Sequence, residues 1–152
     1  MLETTDVVKA SFGQQGLPGE DIIDFCVRRY REAGEDVFAA ENYRRILRDG
    51  HGLDNLVLVG LRAAGEVDFF RRVVPGTRVV GVLADTSLRF QRGLLRGRAD
   101  RAATLEQFVR RDMREYSMGL ASLLGTAIDL LMWNNGTLDE FQRSAALEVN
   151  RP

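Results

Sequence analysis

The sequence predicts an α/β fold in which a parallel sheet is flanked by helices. Three runs rich in β-forming residues carry that prediction: Leu56-Val57-Leu58-Val59-Gly60, Arg78-Val79-Val80-Gly81-Val82-Leu83 and Asp129-Leu130-Leu131-Met132-Trp133. They are continuously apolar rather than alternating, as strands covered on both faces are. The segments between them repeat their apolar residues at helical spacing, and strands alternating with helices give parallel pairing through crossovers.

The elements follow in order. A helix over 20–31 carries Ile22, Ile23, Phe25, Cys26 and Tyr30 on one side, which makes Cys26 a small core residue rather than a nucleophile. A second helix over 36–47 carries Val37, Tyr43, Ile46 and Leu47. The stretch 66–73 forms the crossover between the first two strands and is closed by Pro75-Gly76. Asp85 is placed to cap a helix over 86–95. Thr104-Leu105-Glu106-Gln107 and Thr137-Leu138-Asp139-Glu140 have capping-box spacing, so helices are expected to start at Leu105 and Leu138. No repeat, low-complexity stretch or linker interrupts the chain, and residues 1–152 are expected to form one domain.

Composition excludes several classes of chemistry. With 152 residues, 45% hydrophobic and 28% charged, the chain can bury a core, and its net charge of −1 sets up no global field for nucleic acid or a polyanion. No apolar run reaches the ~18–20 residues of a membrane span and the first residues carry no leader pattern, so a cytoplasmic protein without membrane partners is expected. The single cysteine, Cys26, and the single histidine, His51, cannot make an internal disulfide or a Cys/His zinc site, and no metal site is expected. His51 lies in the turn-like Arg48-Asp49-Gly50-His51-Gly52, where a solvated loop is the expectation. Lys9 is the only lysine, so twenty of the twenty-one basic residues are arginine. Coding bias is one explanation, and recognition of phosphate by planar guanidinium forks is the other.

Three places could carry chemistry. Between 89 and 115, eight arginines (Arg89, Arg92, Arg96, Arg98, Arg101, Arg110, Arg111 and Arg114) stand against Asp100, Glu106, Asp112 and Glu115, a local +4. Arg89, Arg92 and Arg96 share a helix face, and Arg96-Gly97-Arg98 leaves that helix through a glycine hinge. Such a segment can close over a phosphate, or it can be a solvated face paired with acidic residues. The second place is Trp133-Asn134-Asn135-Gly136-Thr137, between the last strand and the last helix, a ligand loop or a tight turn. The third is Gly60-Leu61-Arg62, which sets an arginine at the carboxyl end of a parallel strand, where α/β sheets hold ligands, or is a surface arginine in a loop. The sharpest expectation is that Arg62, Arg96 and Arg98 meet one anion.

Together these stretches resemble the P-loop nucleoside monophosphate kinase superfamily, in particular its dephospho-CoA kinase-like, nucleotide kinase-like branch. The matching segments are Val59-Gly60-Leu61-Arg62, Glu66-Val67-Asp68-Phe69-Phe70, the run from Arg89 to Arg98, the run from Glu106 to Glu115, and Asn134-Asn135-Gly136-Thr137-Leu138-Asp139-Glu140-Phe141. Asp6-Val7-Val8-Lys9 is similar to the start of that family's monophosphate-binding helix pair. The resemblance implies a three-layer α/β/α fold with a lid over about 89–116. It also implies that Arg92, Arg96, Arg98, Arg111 and Arg114 contact phosphates, that Arg62 meets an acceptor monophosphate, and that Asn134, Asn135 and Gly136 form a base-binding loop.

The departures from the family are specific. No G-x-x-x-x-G-K-[ST] run occurs in the sequence, and Val59 stands where the family has a strand-end aspartate. The family's first strand and phosphate loop, expected before Met1, have no counterpart, and loss of a strand from the middle of the sheet is expected to leave ladder edges and favour a homodimer or larger assembly. The expected function is binding of a nucleotide or another phosphorylated small molecule, without ATP-dependent kinase activity in the isolated chain and with catalytic residues unknown. The alternatives are a genuine nucleoside monophosphate kinase whose phosphate loop lies upstream, a degenerate regulatory subunit of one, and an enzyme that reuses the lid for other chemistry. ATP and Mg²⁺ are implied only if a phosphate loop is supplied from elsewhere.

Overall fold

The structure, a computed structural model, describes residues 1–53, 56–97 and 102–149. Its order is β1 (Leu2–Glu3), α1 (Thr4–Gln15), α2 (Ile22–Ala33), α3 (Val37–Arg48), β2 (Leu58–Val59), α4 (Ala64–Val73), β3 (Val80–Leu83) and α5 (Thr86–Leu95). Then come α6 (Leu105–Glu115), a π-helical turn (Tyr116–Leu120), α7 (Ala121–Thr126), β4 (Leu130–Trp133) and α8 (Leu138–Val149). The chain is α/β, and every described strand pairing is parallel.

The strands nevertheless form two pairs among the described residues, where the sequence predicts one sheet. Leu2 and Glu3 align with Leu58 and Val59, so a strand exists at the start of the chain that the apolar-run criterion passes over, since two residues make no run. The expected 56–60 strand contracts to Leu58–Val59 for the same reason: its partner is only two residues long. Val80 to Leu83 align with Leu130 to Trp133. Gly81 lets Ile128 pack against that pair: a Cβ there would meet the Ile128 Cδ1 methyl, which would have to shift.

The chain divides into two compact units, Met1–Thr77 with Arg114–Ala127, and Arg78–Met113 with Ile128–Pro152. The first is built on burial. Phe25, Cys26, Phe38 and Met118 form one cluster, in which the Phe25 ring lies 5.3 Å from Phe12 and 5.9 Å from Phe38. Ala39, Ile46 and Phe70 form another, against which Leu2 and Leu58 of the strand pair pack. Cys26 is buried, as its helical position predicts, and desolvation pushes its thiol up to about 12. On α3, Leu47 is exposed, contrary to its expected place on the apolar face, while Asn42 is buried and donates from Nδ2 to the Phe38 carbonyl at 2.9 Å. That bond satisfies an amide that hydropathy alone would send outward.

In the second unit α6 and α8 both start where predicted, with a reciprocal box at Thr137 and one half of a box at Thr104, where Gln107 Oε1 accepts from the Ala103 N–H instead. Thr137 N donates to Glu140 Oε2 at 2.7 Å and Glu140 N donates back to Thr137 Oγ1 at 3.3 Å. Gln107 N likewise donates to Thr104 Oγ1 at 3.2 Å. Asp85 precedes α5 as predicted, but its carboxylate makes no capping bond; its backbone N–H donates to Asn135 Oδ1 at 2.9 Å. The π turn has no forerunner in the sequence pattern. It centres on Gly119, whose φ of +149° and close approach to the Arg62 carbonyl, 2.9 Å from where a Cβ would sit, both require glycine.

Candidate functional site

In the first unit, the parallel pairing of β1 and β2 brings their carboxyl ends to the same edge. The chain leaves β1 directly into the first turn of α1 and leaves β2 into the turn over 60–63. Thr4 Oγ1 ties the two together by donating to the Gly60 carbonyl at 2.7 Å. Gly60 has a φ of +96°, and a Cβ there would sit 2.7 Å from Thr4 Oγ1 and 3.5 Å from Thr5 Oγ1. The turn therefore depends on glycine for conformation and for space.

Arg62 rides on this turn. Its Nη1 donates to the Gly60 carbonyl at 2.8 Å and its Nε lies 3.6 Å from Glu115 Oε2, with about a third of the side chain exposed (32%). α1 follows its N-cap Glu3 with no side-chain cap, so no side chain of that residue takes up the first-turn N–H groups at the positive end of the helix dipole. A guanidinium fork beside a helix start without a side-chain cap, at one strand edge, makes a surface suited to an anion.

Glu66 lies beneath the turn. Its Oε2 accepts from the Arg62 N–H at 2.6 Å and from the Ala63 N–H at 3.1 Å, and the residue is only 2% exposed. Burial pushes its carboxyl up to about 7, against the opposing pull of those two N–H groups. Sequence reading misses this residue because a glutamate in the first turn of an amphipathic helix reads as a surface dipole partner. The available signal is the non-capping Ala63 three positions earlier, which leaves the start of α4 without a side-chain acceptor of its own.

The remaining predicted residues have specific positions. Arg92 belongs to the second unit and clamps the 134–136 loop: Nη1 donates to the Asn134 carbonyl at 2.7 Å and to Asn134 Oδ1 at 3.2 Å, and Nη2 donates to the Gly136 carbonyl at 2.7 Å. Arg92, Asn134, Asn135 and Gly136 are thus brought together, with Asn135 bonded to Asp85. Arg89 pairs with Asp112 through both carboxylate oxygens and lies 5.3 Å above the Phe108 ring. Arg96 ends α5, is exposed, and makes no ion pair among the described residues, while Gly97 adopts the left-handed conformation (φ +61°) that a chain reversal after a helix favours. Arg98 lies outside the described residues, and Arg111 is an exposed residue of α6. Arg114 belongs to the first unit, where it donates to Asp21 at 2.7 and 3.1 Å and to Asp24 at 2.9 Å. That guanidinium holds the Asp21 carboxyl below its ordinary range while Asp21 also caps α2. Arg62 and Arg96 fall in different units.

No group of three metal-ligating side chains occurs among the described residues, His51 is exposed in its turn, and no described helix is long and apolar enough to cross a membrane.

No protein-family model matches the chain. Among individual proteins, it is 32% identical over 128 residues to a UPF0200 protein of Thermoplasma acidophilum, covering 83% of this chain and 68% of that protein. It is 28% identical over 140 residues to a UPF0200 protein of Saccharolobus solfataricus, covering 91% and 73%. A UPF0200 protein of Sulfurisphaera tokodaii is 27% identical over 146 residues, covering 95% and 78%. With parallel α/β architecture throughout and similarity spread over most of its length, the chain belongs to the UPF0200 family.

Proposed function

We propose that this chain binds a nucleotide or another phosphorylated small molecule on a P-loop nucleotide kinase-like fold, and that alone it is not a competent ATP-dependent kinase. One observation carries the proposal: Arg62 stands on a pinned glycine turn at the carboxyl edge of a parallel strand pair, beside the uncapped start of α1. Phosphate suits this surface because the fork and the amide dipoles offer donors and positive charge without a bound cation. The chain's own residues at this turn bind and orient the ligand's phosphate.

Calorimetric titration with a panel of nucleoside mono- and diphosphates tests this. Each charge-assisted contact is worth about 1.5–3 kcal/mol, so Arg62→Ala is expected to weaken binding by roughly tenfold to over a hundredfold. Binding of none of the panel by the wild-type chain overturns the proposal. Robust Mg²⁺-dependent formation of ADP and a phosphorylated acceptor by the purified chain overturns its kinase clause.

A second reading is a kinase completed by a separately supplied glycine-rich loop or by a partner that carries one; it is favoured by the absence of a G-x-x-x-x-G-K-[ST] run from a sequence that otherwise resembles that superfamily over most of its length. Independently of that reading, the exposed apolar residues Val82, Leu131 and Trp133 support the association with a second copy that the sequence leads one to expect. Light scattering that shows a stable monomer at high micromolar concentration removes that support.

A further inference from the structure

Glu66 is the one carboxylate buried beneath the Arg62 turn, and its bonding is unusual for a helix-start residue. A single oxygen, Oε2, receives two consecutive backbone N–H groups, and the residue on which the turn presents its guanidinium is the first of the two donors. The turn is held on its other sides by the Thr4 hydroxyl on the Gly60 carbonyl and by the backbone of Gly119 against Arg62 and Ala63. Those restraints are a neutral hydrogen bond and a packing contact. Besides the Arg62 guanidinium's own bond to the Gly60 carbonyl, Glu66 supplies the charged restraint on the backbone of the turn and the one that holds its N–H groups, and hydrogen bonds to an ionised acceptor are roughly twice as strong as neutral ones.

We propose that Glu66 is the positioning residue of this site, a proton-controlled latch whose ionised carboxylate fixes the 60–63 turn so that Arg62 is presented to its anion; what Arg62 meets rests on the anion-binding function proposed above. Ionised, the carboxylate clamps both N–H groups. Protonated, it keeps only weaker neutral bonds and introduces an O–H that competes for nearby acceptors. The charged and titratable groups facing it are few. Arg62 lies on the turn, Glu35 approaches from the α2–α3 connection and accepts from Gly65 N at 3.2 Å, Cys26 and Tyr30 face it from α2, and Glu115 stands beyond Arg62. Of these only Arg62 is a cation, and it favours the ionised form. Burial opposes ionisation and brings the transition to about 7, where small changes in pH alter the population of the latched state. The through-space pull of Glu66 on the guanidinium runs the other way, since it partly neutralises the cation, but it influences this carboxyl less than either backbone hydrogen bond does.

Two measurements on the full chain test the latch. By NMR, the Arg62 and Ala63 amide resonances of the wild type are expected to titrate together with a midpoint near 7, and in Glu66→Gln, which keeps the shape and an acceptor oxygen but cannot ionise, that transition is expected to vanish. Amides that do not titrate in the wild type, or that titrate alike in Glu66→Gln, overturn the proposal whether or not any ligand binds. Where a nucleoside monophosphate binds, its affinity is measured from pH 5.5 to 8.5 for both proteins. The ligand's own phosphate titration is common to both and cancels in the ratio. The wild type is expected to gain about five- to tenfold relative to Glu66→Gln as pH rises, the difference between charged and neutral hydrogen bonds. A flat ratio overturns the positioning role. Latched amides in a chain that binds no phosphate compound leave the latch standing and remove only the anion-binding function.

Discussion

The two units reach their structures by different means. In the first, Phe25, Phe38, Ile46, Val67, Thr4 and Glu66 are almost completely shielded, and aromatic rings pack in tilted and edge-to-face pairs through the interior. In the second, neither α5 nor α6 contributes a buried residue, and Val82, Leu95, Met113, Leu131 and Trp133 are half or more exposed, or close to it. Beside the Phe90–Phe108 ring contact at 5.7 Å, what fixes its helices and loops is polar: the Arg89–Asp112 fork, the Arg92 clamp on the 134–136 loop and the threonine caps. A region held by apolar burial loses stability when volume is removed. A region held by charged hydrogen bonds at half-exposed positions responds instead to salt and to loss of individual donors.

The largest expected effect that sharpens this contrast is Phe38→Ala. Removing a fully buried ring costs about 3–5 kcal/mol, seen as a lower denaturation midpoint, and a loss below 1 kcal/mol would break the assignment of the core to this cluster.

The pH dependence of stability comes next. The Glu66 carboxyl has a raised folded-state pKa, so the folded chain holds its proton more tightly than the unfolded chain does. Its contribution is complete below about 4.5 and is lost as pH rises to about 7. Glu66→Gln is expected to remove about 3 kcal/mol of that decline, measured by denaturation at a series of pH values. An unchanged pH profile would show that the carboxyl titrates normally.

In the second unit, Arg92→Ala is expected to cost about 1–2 kcal/mol and to raise amide hydrogen exchange in the 134–136 loop, because the freed carbonyls turn to water. Thr137→Ala should cost about 1 kcal/mol through loss of the helix start. In native-state hydrogen exchange of the wild type, protection over α2–α4 is expected to exceed that over α5–α6. The reverse order would break the comparison.

How much of this is legible in the sequence follows the same division. Capping boxes are local and were readable to the residue, as the starts of α6 and α8 at Leu105 and Leu138 show. The continuous apolar runs located β3 and β4 within one or two residues, because four paired residues leave a pattern long enough to see. The pairing of Leu2–Glu3 with Leu58–Val59 was not readable, since two residues carry no periodicity. At the candidate site, Gly60-Leu61-Arg62 was readable from its place after a strand. Glu66 was not, because its surroundings come from elements distant in the sequence, among them Cys26 and Tyr30 of α2. The arginine run shows the limit most clearly. Composition cannot distinguish Arg114, which reaches Asp21 across 93 positions, from Arg92, bound to carbonyls, or Arg96, exposed at a helix end.

The shielding of Cys26 has a practical consequence. It is the chain's single thiol, it belongs to the first unit, and burial that lifts it from 9.0 to about 12 lowers its thiolate population by about a thousandfold near neutrality. A maleimide or disulfide reagent can therefore react at speed only when that interior opens, and the second unit, without any cysteine, contributes no signal. The native chain carries a built-in chemical clock for the breathing of one half of the molecule, readable by mass spectrometry without introducing a label.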